Sequence, residues 1–488
     1  MLNEIIQNEK TVSSYRPLST EGIQKIHAAT LQVLEETGVT VMHPKGLEVL
    51  ASAGAKIDFQ KQKAKIPASV VEKCIQTASR SFIMAGRDPK KDLLIDMSGE
   101  VYCRNGGGPG HVEDMDTGEV RAASMNDVHD YARLVDALPN VHIAAPIYAQ
   151  DTPAPTRDIR VLATMFASTT KPINFRLLGI KSLPYVLRMA EVVAGNRENL
   201  YNRPVITMLE SPISPLKVPD ILVESLFAYG EYGIPLEICS MPIAGATGPI
   251  TLAGSLLMSN IEMITAVVLS QLVHPGARLI FTPRIMVMDM AKGHALTGSI
   301  ENALLAAAGV QLAREAYQLP VNMHGPYTDS IISDSQAGIE NCYFSFLSGL
   351  AGANILTGAG HLEGGLFVSY PQLMIDDETI GITRRAIRSF DVDENTLGVE
   401  AIQRSTLNDN LLIDEHTMKN LRKVGHYKPK LLTREPRQIW VDNGSKSMAE
   451  RAKEKAKTLL TTYEPQPLEP AVKKALDEII AEAARELE

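Results

Sequence analysis

Aromatic rings and arginines follow several apolar segments of this 488-residue chain, and their types suggest how a small zwitterion could be bound. Aromatic residues make up only 5% of the chain, so a ring next to a charged side chain is informative. The negative face of a ring attracts an ammonium cation, and an arginine can pair with a carboxylate through two hydrogen bonds. The candidate binding residues are Tyr102, Arg104, Tyr148, Arg176, Phe281, His324, Tyr327 and His361. These residues favour a ligand with a quaternary ammonium at one end and a carboxylate at the other.

A metal site is an alternative interpretation of part of this set. The residues that could supply ligands to a hydrolytic metal ion are His324, Asp329, Asp334, His361 and Glu363. The paired H-x-H that commonly opens such sites after a first strand is missing, which makes the metal site the less favoured alternative.

Covalent catalysis is not indicated by any motif. The chain has no G-x-S-x-G elbow, and Cys239 lies in an apolar run that is more typical of a buried core thiol than of a nucleophile. Gly106, Gly107 and Gly108 could cradle a phosphate, but they precede a hairpin pattern and not a helix, so they more simply leave room for a bulky partner or a sharp turn. A metal-dependent hydrolase and a binding protein without turnover remain open beside an enzyme that acts on the zwitterion.

The elements that must position these residues follow a regular pattern. Between about residues 100 and 390, short apolar runs alternate with helical segments of ten to twenty residues. The predicted strands are VYCRN, VHIAAPIYAQD, KPINFRLLG, PVITMLES, IPLEICSMP, ARLIFTPR, PVNMHG and GANILTGAG. Eight such units predict a TIM (β/α)8 barrel, in which the ends of the strands build the reactive face. An open doubly wound sheet is the alternative, but no G-x-G-x-x-G follows the first strand.

Two further regions flank this α/β barrel. Residues 1–99 predict a small N-terminal flank, with a helix between Thr20 and Gly38 followed by short strands. Residues 391–488 predict a helical extension with two charged helices, which would pack on the outside of the barrel or on a neighbouring subunit. A homo-oligomer is therefore expected, in the form of a trimer or hexamer.

Composition limits the function classes. The chain has 48 basic and 57 acidic residues, a net charge of −9, so it offers no basic surface for nucleic acid or anionic lipid. The four cysteines form no C-x-x-C pair, and neither a signal-peptide pattern nor an unbroken apolar run of membrane-spanning length is present. We expect a cytoplasmic protein that binds neither nucleic acid nor a membrane.

Several long segments resemble a known family. They include ETGVTVMHP, GGGPGHVEDMDTGEVRAAS and above all HGPYTDSIISDSQAGIENCYFSFLSGLAGANILTGAGHLEGGLFVSYPQLMIDDE, which is similar to the trimethylamine methyltransferase family. The similarity runs from about residue 20 into the C-terminal tail. It implies a TIM barrel that transfers a methyl group from a methylated amine to the Co(I) centre of a separate corrinoid protein, with no cofactor bound by the chain itself.

One departure from the family pattern indicates the branch. Archaeal trimethylamine enzymes carry pyrrolysine in the barrel, whereas this chain has standard residues from His324 to Asp334. It therefore resembles the non-pyrrolysine members, whose substrates are quaternary amines such as glycine betaine, proline betaine, carnitine and γ-butyrobetaine. A quaternary nitrogen leaves as a neutral tertiary amine, so attack on its methyl group needs no protonating acid.

On this interpretation the candidate residues divide by the end of the substrate that they contact. The proposed cation contacts are Tyr102, Tyr148 and Tyr327. The proposed carboxylate contacts are Arg104, Arg176 and His324. The glycine-rich loops GGGPG and GAGHLEGG would leave room for the corrinoid to approach.

Overall fold

The computed structural model describes residues 15–406, 410–422 and 426–488. The first fourteen residues of the N-terminal flank and six residues of the C-terminal extension lie outside the described residues. The N-terminal flank contains the strands β1 (Val39–Val41), β2 (Lys56–Asp58), β3 (Lys63–Lys65), β4 (Phe82–Met84) and β5 (Leu93–Ile95). Its helices are α1 (Thr20–Gln32), α2 (Pro44–Ser52) and α3 (Ala68–Thr77).

Strands and helices alternate through the central region. Its strands are β6 (Tyr102–Asn105), β7 (His111–Glu113), β8 (Val120–Ala122), β9 (Ile173–Phe175), β10 (Ile206–Glu210), β11 (Lys217–Val218), β12 (Leu236–Ser240), β13 (Ile243–Ala244), β14 (Leu279–Pro283), β15 (Met286–Asp289), β16 (His294–Leu296), β17 (Asn322–His324), β18 (Ile355–Ala359), β19 (His361–Leu362) and β20 (Phe367–Val368). Its helices are α4 (Met125–Ala137), α5 (Arg157–Ser168), α6 (Leu183–Ala194), α7 (Arg197–Asn202), α8 (Asp220–Tyr232), α9 (Leu252–Val273), α10 (Ile300–Leu312), α11 (Ser335–Ala351) and α12 (Tyr370–Ala386).

Two parallel sheets form the centre of the fold. One has the strand order β14-β12-β10-β9 and the other β17-β18-β6. Isolated parallel bridges connect their edges. Phe281 pairs with Val321 at one join, and at the other Ile143 pairs with Arg104 while the adjacent Ala144 pairs with Ile173. Because neighbouring strands run in the same direction, their carboxyl ends lie at one edge, which we call the mouth.

Seven of the eight expected strands pair as ladders, and the second is much shorter than its sequence predicts. In the segment from 141 to 151 only Ile143 and Ala144 form bridges, to Arg104 and Ile173 respectively. The side chain of Asn105 replaces the ladder beyond this point, because its Oδ1 accepts from the backbone N–H of Ala145 and its Nδ2 donates to the carbonyl of the same residue. Pro146 follows and has no N–H to donate.

Short hairpins extend the mouth. The expected hairpin after the triple glycine is formed by β7 and β8, and β20 pairs beside β7. β15 and β16 form another hairpin after β14. The antiparallel β4–β5 hairpin lies at the opposite end, where Phe82, Met84 and Ile95 pack against Ile143 and Ile355. The amino end of the strands is therefore filled with apolar side chains, and the mouth is the end that remains open.

Helix α9 is the longest helix of the central region, with 22 residues. It is the one described helix that is long and apolar enough to cross a membrane, and most of it is buried inside the fold. This combination is typical of the core helix of a large domain. All four cysteines are free thiols, and Cys74, Cys103 and Cys239 are buried.

The C-terminal extension packs partly on the rest of its own chain. Its helices are α13 (Glu394–Leu397), α14 (Val399–Ser405), α15 (Glu415–Asn420), α16 (Arg437–Asp442), α17 (Met448–Thr462) and α18 (Pro470–Leu487). Tyr463, just after α17, donates its hydroxyl to Asp136 at 2.5 Å, and Arg133 donates to the Tyr463 carbonyl at 2.6 Å. Arg188 of α6 pairs with Glu482 of α18 at 2.6 Å. These contacts place α17 and α18 against helices of their own chain.

Candidate functional site

Two arginines share one buried carboxylate at the centre of the fold. Arg104 Nη1 lies 2.9 Å from Glu237 Oε2, and Arg284 Nη2 lies 3.2 Å from Glu237 Oε1. Asn174 joins the group, because Arg104 Nη1 donates to its Oδ1 and its Nδ2 donates to Glu237 Oε2 at 3.2 Å. Arg104 comes from β6, Asn174 from β9 and Glu237 from β12, and Arg284 directly follows β14.

The charges of this group do not cancel. Two guanidinium groups face a single carboxylate, and Arg104 and Glu237 are only 4% and 1% exposed. Burial lowers the pKa of Arg104 to about 10, although Glu237 opposes the shift, so the guanidinium remains charged at neutral pH. The buried Nε atoms of Arg104 and Arg284 have no hydrogen-bond partner among the described residues. A buried positive charge with unpaired donors is costly unless an anion arrives to accept from it.

A cavity of about 130 Å³ opens directly onto these arginines. Its wall is formed by loops and strand ends of the mouth, and the side chains that line it besides the arginine group are those of Tyr148, Phe175, Arg176, Leu209, Cys239 and Met241. The Tyr148 and Phe175 rings lie 6.2 Å apart, and Tyr148 donates its hydroxyl to the Arg176 carbonyl at 2.5 Å. The cavity is thus lined both by arginines and by two aromatic rings.

A cluster of stacked rings lies beside Arg284. The His324 and Tyr327 rings stack at 3.9 Å, and His361 meets the edge of Tyr327 at 5.5 Å. Burial, followed by the charges of Arg284 and Arg104, lowers the pKa of His361 to about 3. Burial and Arg284 also hold the pKa of His324 well below its ordinary value. Both imidazoles are therefore neutral at pH 7.

Glycines allow the loops to approach this ring cluster. A Cβ at Gly106 would lie 2.2 Å from the His361 ring, and one at Gly365 would lie 2.7 Å from the Tyr327 hydroxyl. Gly365 also has a φ of +85°, which residues with a side chain rarely adopt. The two glycine-rich loops, one after β6 and one after β18, thus pack directly on the rings. A larger residue at Gly106 or Gly365 would collide with them.

The structure brings six of the eight candidate residues to the mouth. Arg104, Tyr148 and Arg176 line the cavity. His324, Tyr327 and His361 form the adjoining ring cluster.

Tyr102 and Phe281 are placed away from the cavity. Tyr102 begins β6 and packs with the apolar side chains at the amino end, where its ring meets His142 at 5.5 Å. Phe281 is 2% exposed and lies 5.9 Å from the Tyr317 ring in the core between strand and helices. Both rings belong to strands that reach the mouth. Tyr102 lies at the opposite end of its strand, and Phe281 lies on the face of its strand that packs on the helices.

Three residues of the site are absent from the candidate set: Asn174, Glu237 and Arg284. The sequence does contain a feature that could have identified Asn174 and Glu237. Each is a polar residue within an otherwise apolar strand, and such a residue must find a buried partner. The sequence does not say which partner this is, and Glu237 lies 133 residues from Arg104.

Two residues of the alternative metal site, Asp329 and Asp334, bind backbone N–H groups. Asp329 accepts from the backbone N–H groups of Thr297 and Gly298, at 3.0 and 2.8 Å. Asp334 caps the start of α11. Among the residues that the structure describes, no group of three or more His, Cys, Asp or Glu side chains is arranged to hold a metal ion.

Comparison with solved structures identifies the fold. The crystal structure of the Methanosarcina barkeri monomethylamine methyltransferase matches with a TM-score of 0.52, over 100% of this chain and 91% of that one. The two sequences are 11% identical, so the match concerns the fold alone.

Sequence comparison identifies the family. The family model for trimethylamine methyltransferase matches residues 2–488. A trimethylamine methyltransferase of Desulfitobacterium hafniense is 33% identical over 96% of this chain and 94% of the relative, and one of Methanosarcina barkeri is 31% identical over 95% and 94%. A glycine betaine methyltransferase of Desulfitobacterium hafniense is 28% identical over 97% and 98%. The chain belongs to the trimethylamine methyltransferase family, and it is a methyltransferase.

Proposed function

We propose that this enzyme moves a methyl group from a quaternary amine with a carboxylate, such as glycine betaine, proline betaine, carnitine or γ-butyrobetaine, to the Co(I) centre of a partner corrinoid protein. The observation that carries the proposal is the buried Arg104–Glu237–Arg284 group, which has an excess positive charge and two unpaired Nε donors beside the cavity. A substrate carboxylate would neutralise the excess charge and accept hydrogen bonds from the arginine donors. Trimethylamine has no carboxylate, and its protonated form would be repelled by the arginines.

The lining of the cavity includes groups that suit both ends of such a substrate. The carboxylate would lie against Arg104 and Arg284, with Arg176 near the rim as a further cationic contact. The quaternary nitrogen would then lie against Tyr148 and Phe175, whose ring faces attract a cation. A cavity of about 130 Å³ favours the shortest of the four substrates, glycine betaine.

Positioning is the main contribution of the protein to the reaction. The leaving group is a neutral tertiary amine, so no side chain has to donate a proton. His324 and His361 are neutral, so neither imidazole is a cationic acid. Uncharged imidazoles also do not repel the cation of the substrate. Fixing the carboxylate at the arginines would hold one N-methyl group toward the open mouth, in line for attack. The partner's corrinoid supplies the nucleophile that accepts the methyl group.

The surface around the mouth supports a docking partner. Exposed apolar side chains extend from several of its loops: Met241, Ile250, Met290, Ile331, Ile332 and Leu366. Apolar patches of this kind on an otherwise charged surface mark protein interfaces. We assign this surface to the corrinoid protein, whose cofactor has to reach the cavity.

Three broader features complete the proposal. The two parallel sheets together would form the eight-stranded TIM barrel, with the bridges at Ala144 and Phe281 as the joins between them. The enzyme would act in the cytoplasm as a homo-oligomer, a trimer or hexamer. The glycine betaine methyltransferase relative supports placement in the non-pyrrolysine branch.

A substrate panel tests the proposal. Purified enzyme is mixed with reduced cognate corrinoid protein and one amine at a time, and methyl transfer is followed by the change in corrinoid absorbance. We expect one of the four carboxylate-bearing amines to react and trimethylamine to remain inert. Reaction of trimethylamine alone would show the substrate assignment to be wrong. Saturable betaine binding without transfer would favour a binding protein, and activity that disappears with a chelator would favour the metal-dependent hydrolase.

A further inference from the structure

Three segments of the mouth are joined to one another by hydrogen bonds. They are residues 297–298 after β16, residues 328–330 after β17 and residues 363–364 after β19. We call these segments the loop junction. Asp329 and Glu340 supply its side-chain acceptors. The ring cluster lies beside the loop junction, because Tyr327 donates its hydroxyl to the Gly364 carbonyl at 2.8 Å.

Asp329 binds the first segment to the second. Its carboxylate accepts from the backbone N–H of Thr297 at 3.0 Å and from that of Gly298 at 2.8 Å, and the Thr297 hydroxyl donates to it as well. Each carboxylate oxygen of Asp329 therefore has at least one donor. Hydrogen bonds to a charged acceptor are stronger than neutral ones, so this carboxylate determines where the chain runs as it leaves β16.

Glu340 of α11 fixes the second segment. Its Oε2 accepts from the Thr328 hydroxyl at 2.5 Å and from the backbone N–H of Asp329 at 2.8 Å. Its Oε1 accepts from Gln336 Nε2 at 3.0 Å. A Cβ at Gly298 would lie 2.4 Å from Glu340 Oε2, so the first segment also packs directly on this carboxylate.

The third segment is joined through its backbone. Glu363 donates its N–H to the Ser330 carbonyl at 2.7 Å, and Gly364 donates its N–H to the Thr328 carbonyl at 2.8 Å. Gly364 also approaches the first segment closely, because a Cβ there would lie 2.8 Å from the Thr297 hydroxyl oxygen. All three segments of the loop junction are therefore in contact with one another.

Four of the six exposed apolar side chains around the mouth extend from the loops that meet here. Ile331 and Ile332 directly follow the second segment, and Leu366 follows the third. Met290 lies at the turn of the β15–β16 hairpin, which ends at the first segment. Asp329 and Glu340 themselves lie outside the set of side chains that line the cavity of the arginine group. The loop junction thus determines how the apolar side chains of the docking surface lie relative to one another.

We propose that Asp329 and Glu340 are positioning residues for methyl transfer, which hold the three loops in the arrangement that the corrinoid protein recognises. The inference rests on the proposed docking of that protein at the mouth, and it does not depend on which amine is the substrate. A surface that is already ordered loses less conformational entropy when a partner binds, so the partner binds more tightly. Without the two carboxylates, the loops would have to be ordered at the moment of docking.

Binding of the corrinoid protein to variants tests this inference. Asp329→Ala and, separately, Glu340→Ala remove the acceptors from the full-length enzyme, and calorimetry measures the Kd for the cognate corrinoid protein with no amine present. We expect this Kd, and the KM for the corrinoid protein in methyl transfer, to rise about 10-fold or more in both variants. The kcat at saturating corrinoid protein and the Kd for the betaine should change by less than about 3-fold, because the cavity is not altered.

Conservative variants distinguish positioning from a general structural defect. The donors from Thr328 and Asp329 share Oε2 of Glu340, so the amide oxygen in Glu340→Gln keeps both, and this variant should bind the corrinoid protein as the wild type does. Asp329→Asn keeps one of two acceptor oxygens and should lie between Asp329→Ala and the wild type. Asp393→Ala is the matched control, because Asp393 accepts from the Thr396 N–H at 2.8 Å at the start of α13, in the C-terminal extension.

Two results would overturn the inference alone. One is an unchanged Kd for the corrinoid protein in both folded alanine variants, and the other is a loss of betaine binding with normal binding of the corrinoid protein. If the alanine variants do not fold, hydrogen exchange of the wild type replaces them. Residues 286–297, 328–333 and 363–366 should then gain protection together when the corrinoid protein is added, and protection of none of them would contradict the inference. A wild type that binds no corrinoid protein would overturn the proposed function and this inference with it.

Discussion

Arg104 of β6 and Glu237 of β12 form a buried ion pair, 2.9 Å long, between strands that belong to two different sheets. The pair by itself would be neutral. Arg284 adds a second guanidinium to the same carboxylate at 3.2 Å, and this addition leaves the base of the cavity positive. The net charge of the site, more than any single residue, is what makes a carboxylate-bearing substrate the best fit.

Removing Arg284 should weaken binding of the substrate carboxylate. In Arg284→Gln the remaining Arg104–Glu237 pair is neutral, so we expect KM for the reactive betaine to rise about 10- to 100-fold, as for loss of one charge-assisted hydrogen bond. Steady-state methyl-transfer kinetics measure this change. Arg197→Gln is the control, because Arg197 forms a comparable ion pair with Glu231 on the surface. An unchanged KM in Arg284→Gln would remove the arginine group from substrate binding.

The neutral imidazoles should contribute no pH dependence to the reaction. The pKa of His361 is lowered to about 3, and that of His324 lies well below its ordinary value, so neither ring takes up a proton between pH 5.5 and 8. We expect the profile of kcat/KM to have the same shape in wild type and in His361→Gln over this range, even if the variant is slower. A decrease below pH 6.5 in the wild type that is absent from the variant would contradict this prediction.

Gly106 should tolerate no side chain. Its Cβ in Gly106→Ala would lie 2.2 Å from the His361 ring, so the ring or the loop has to move. We expect at least a 10-fold loss of kcat/KM, because displacement by about 1 Å near a reacting centre is costly. Gly338→Ala in α11 is the control: nothing lies within 4 Å of its Cβ, and alanine should stabilise the helix by about 0.5–1 kcal/mol. Equal activity of the two variants would show that the loop contact is unimportant.

Ile332 tests the docking surface at the mouth. This side chain is 59% exposed, and Ile332→Asp should raise the KM for the corrinoid protein while leaving the Kd for the betaine unchanged. The reason is that a charge in an apolar contact must be desolvated when the partner binds. Kinetics with varied corrinoid protein, together with calorimetry for the betaine, separate the two effects. Phe59→Asp serves as the control, because Phe59 is 58% exposed on the N-terminal flank. Weaker betaine binding in Ile332→Asp would argue against a docking role.

Asp136, which accepts a hydrogen bond from Tyr463 of the C-terminal extension, should make the stability of the fold depend on pH in acid. Burial alone would raise its pKa, but hydrogen bonds from Tyr463 and Thr170 and the charges of Lys91 and Lys171 lower it to about 2 from an ordinary value of 3.8. A depressed carboxyl pKa stabilises the fold above the unfolded pKa, and this contribution is lost as the pH falls through the folded pKa. We therefore expect about 2 kcal/mol to disappear between pH 4 and pH 2.

Denaturant unfolding over this pH range measures the effect. Asp136→Asn should have a lower stability at pH 4 and a shallower decrease toward pH 2 than the wild type. The exposed Asp220→Asn is the control and should follow the wild type. A parallel decrease in Asp136→Asn and wild type would show that this carboxyl does not link the extension to the central region.

The amino-acid sequence by itself determines the alternation of strands and helices, because the periodicity of apolar residues is a local property. It predicts all eight strand positions, and the structure differs mainly at the second, where Pro146 and the Asn105 side chain replace the ladder. The sequence also indicates the family through its long shared segments, and it places Tyr148, Arg176 and His361 at the mouth.

Only the tertiary structure decides which polar side chains meet. The sequence predicts Arg104 as a substrate contact, but it does not reveal that Glu237, 133 residues away, pairs with it or that Arg284 supplies the excess positive charge. Tyr102 and Arg104 belong to the same strand, yet one packs at the amino end and the other faces the cavity. Side-chain types and spacing are written along the chain, whereas burial, net charge and the face of a strand depend on how distant segments pack.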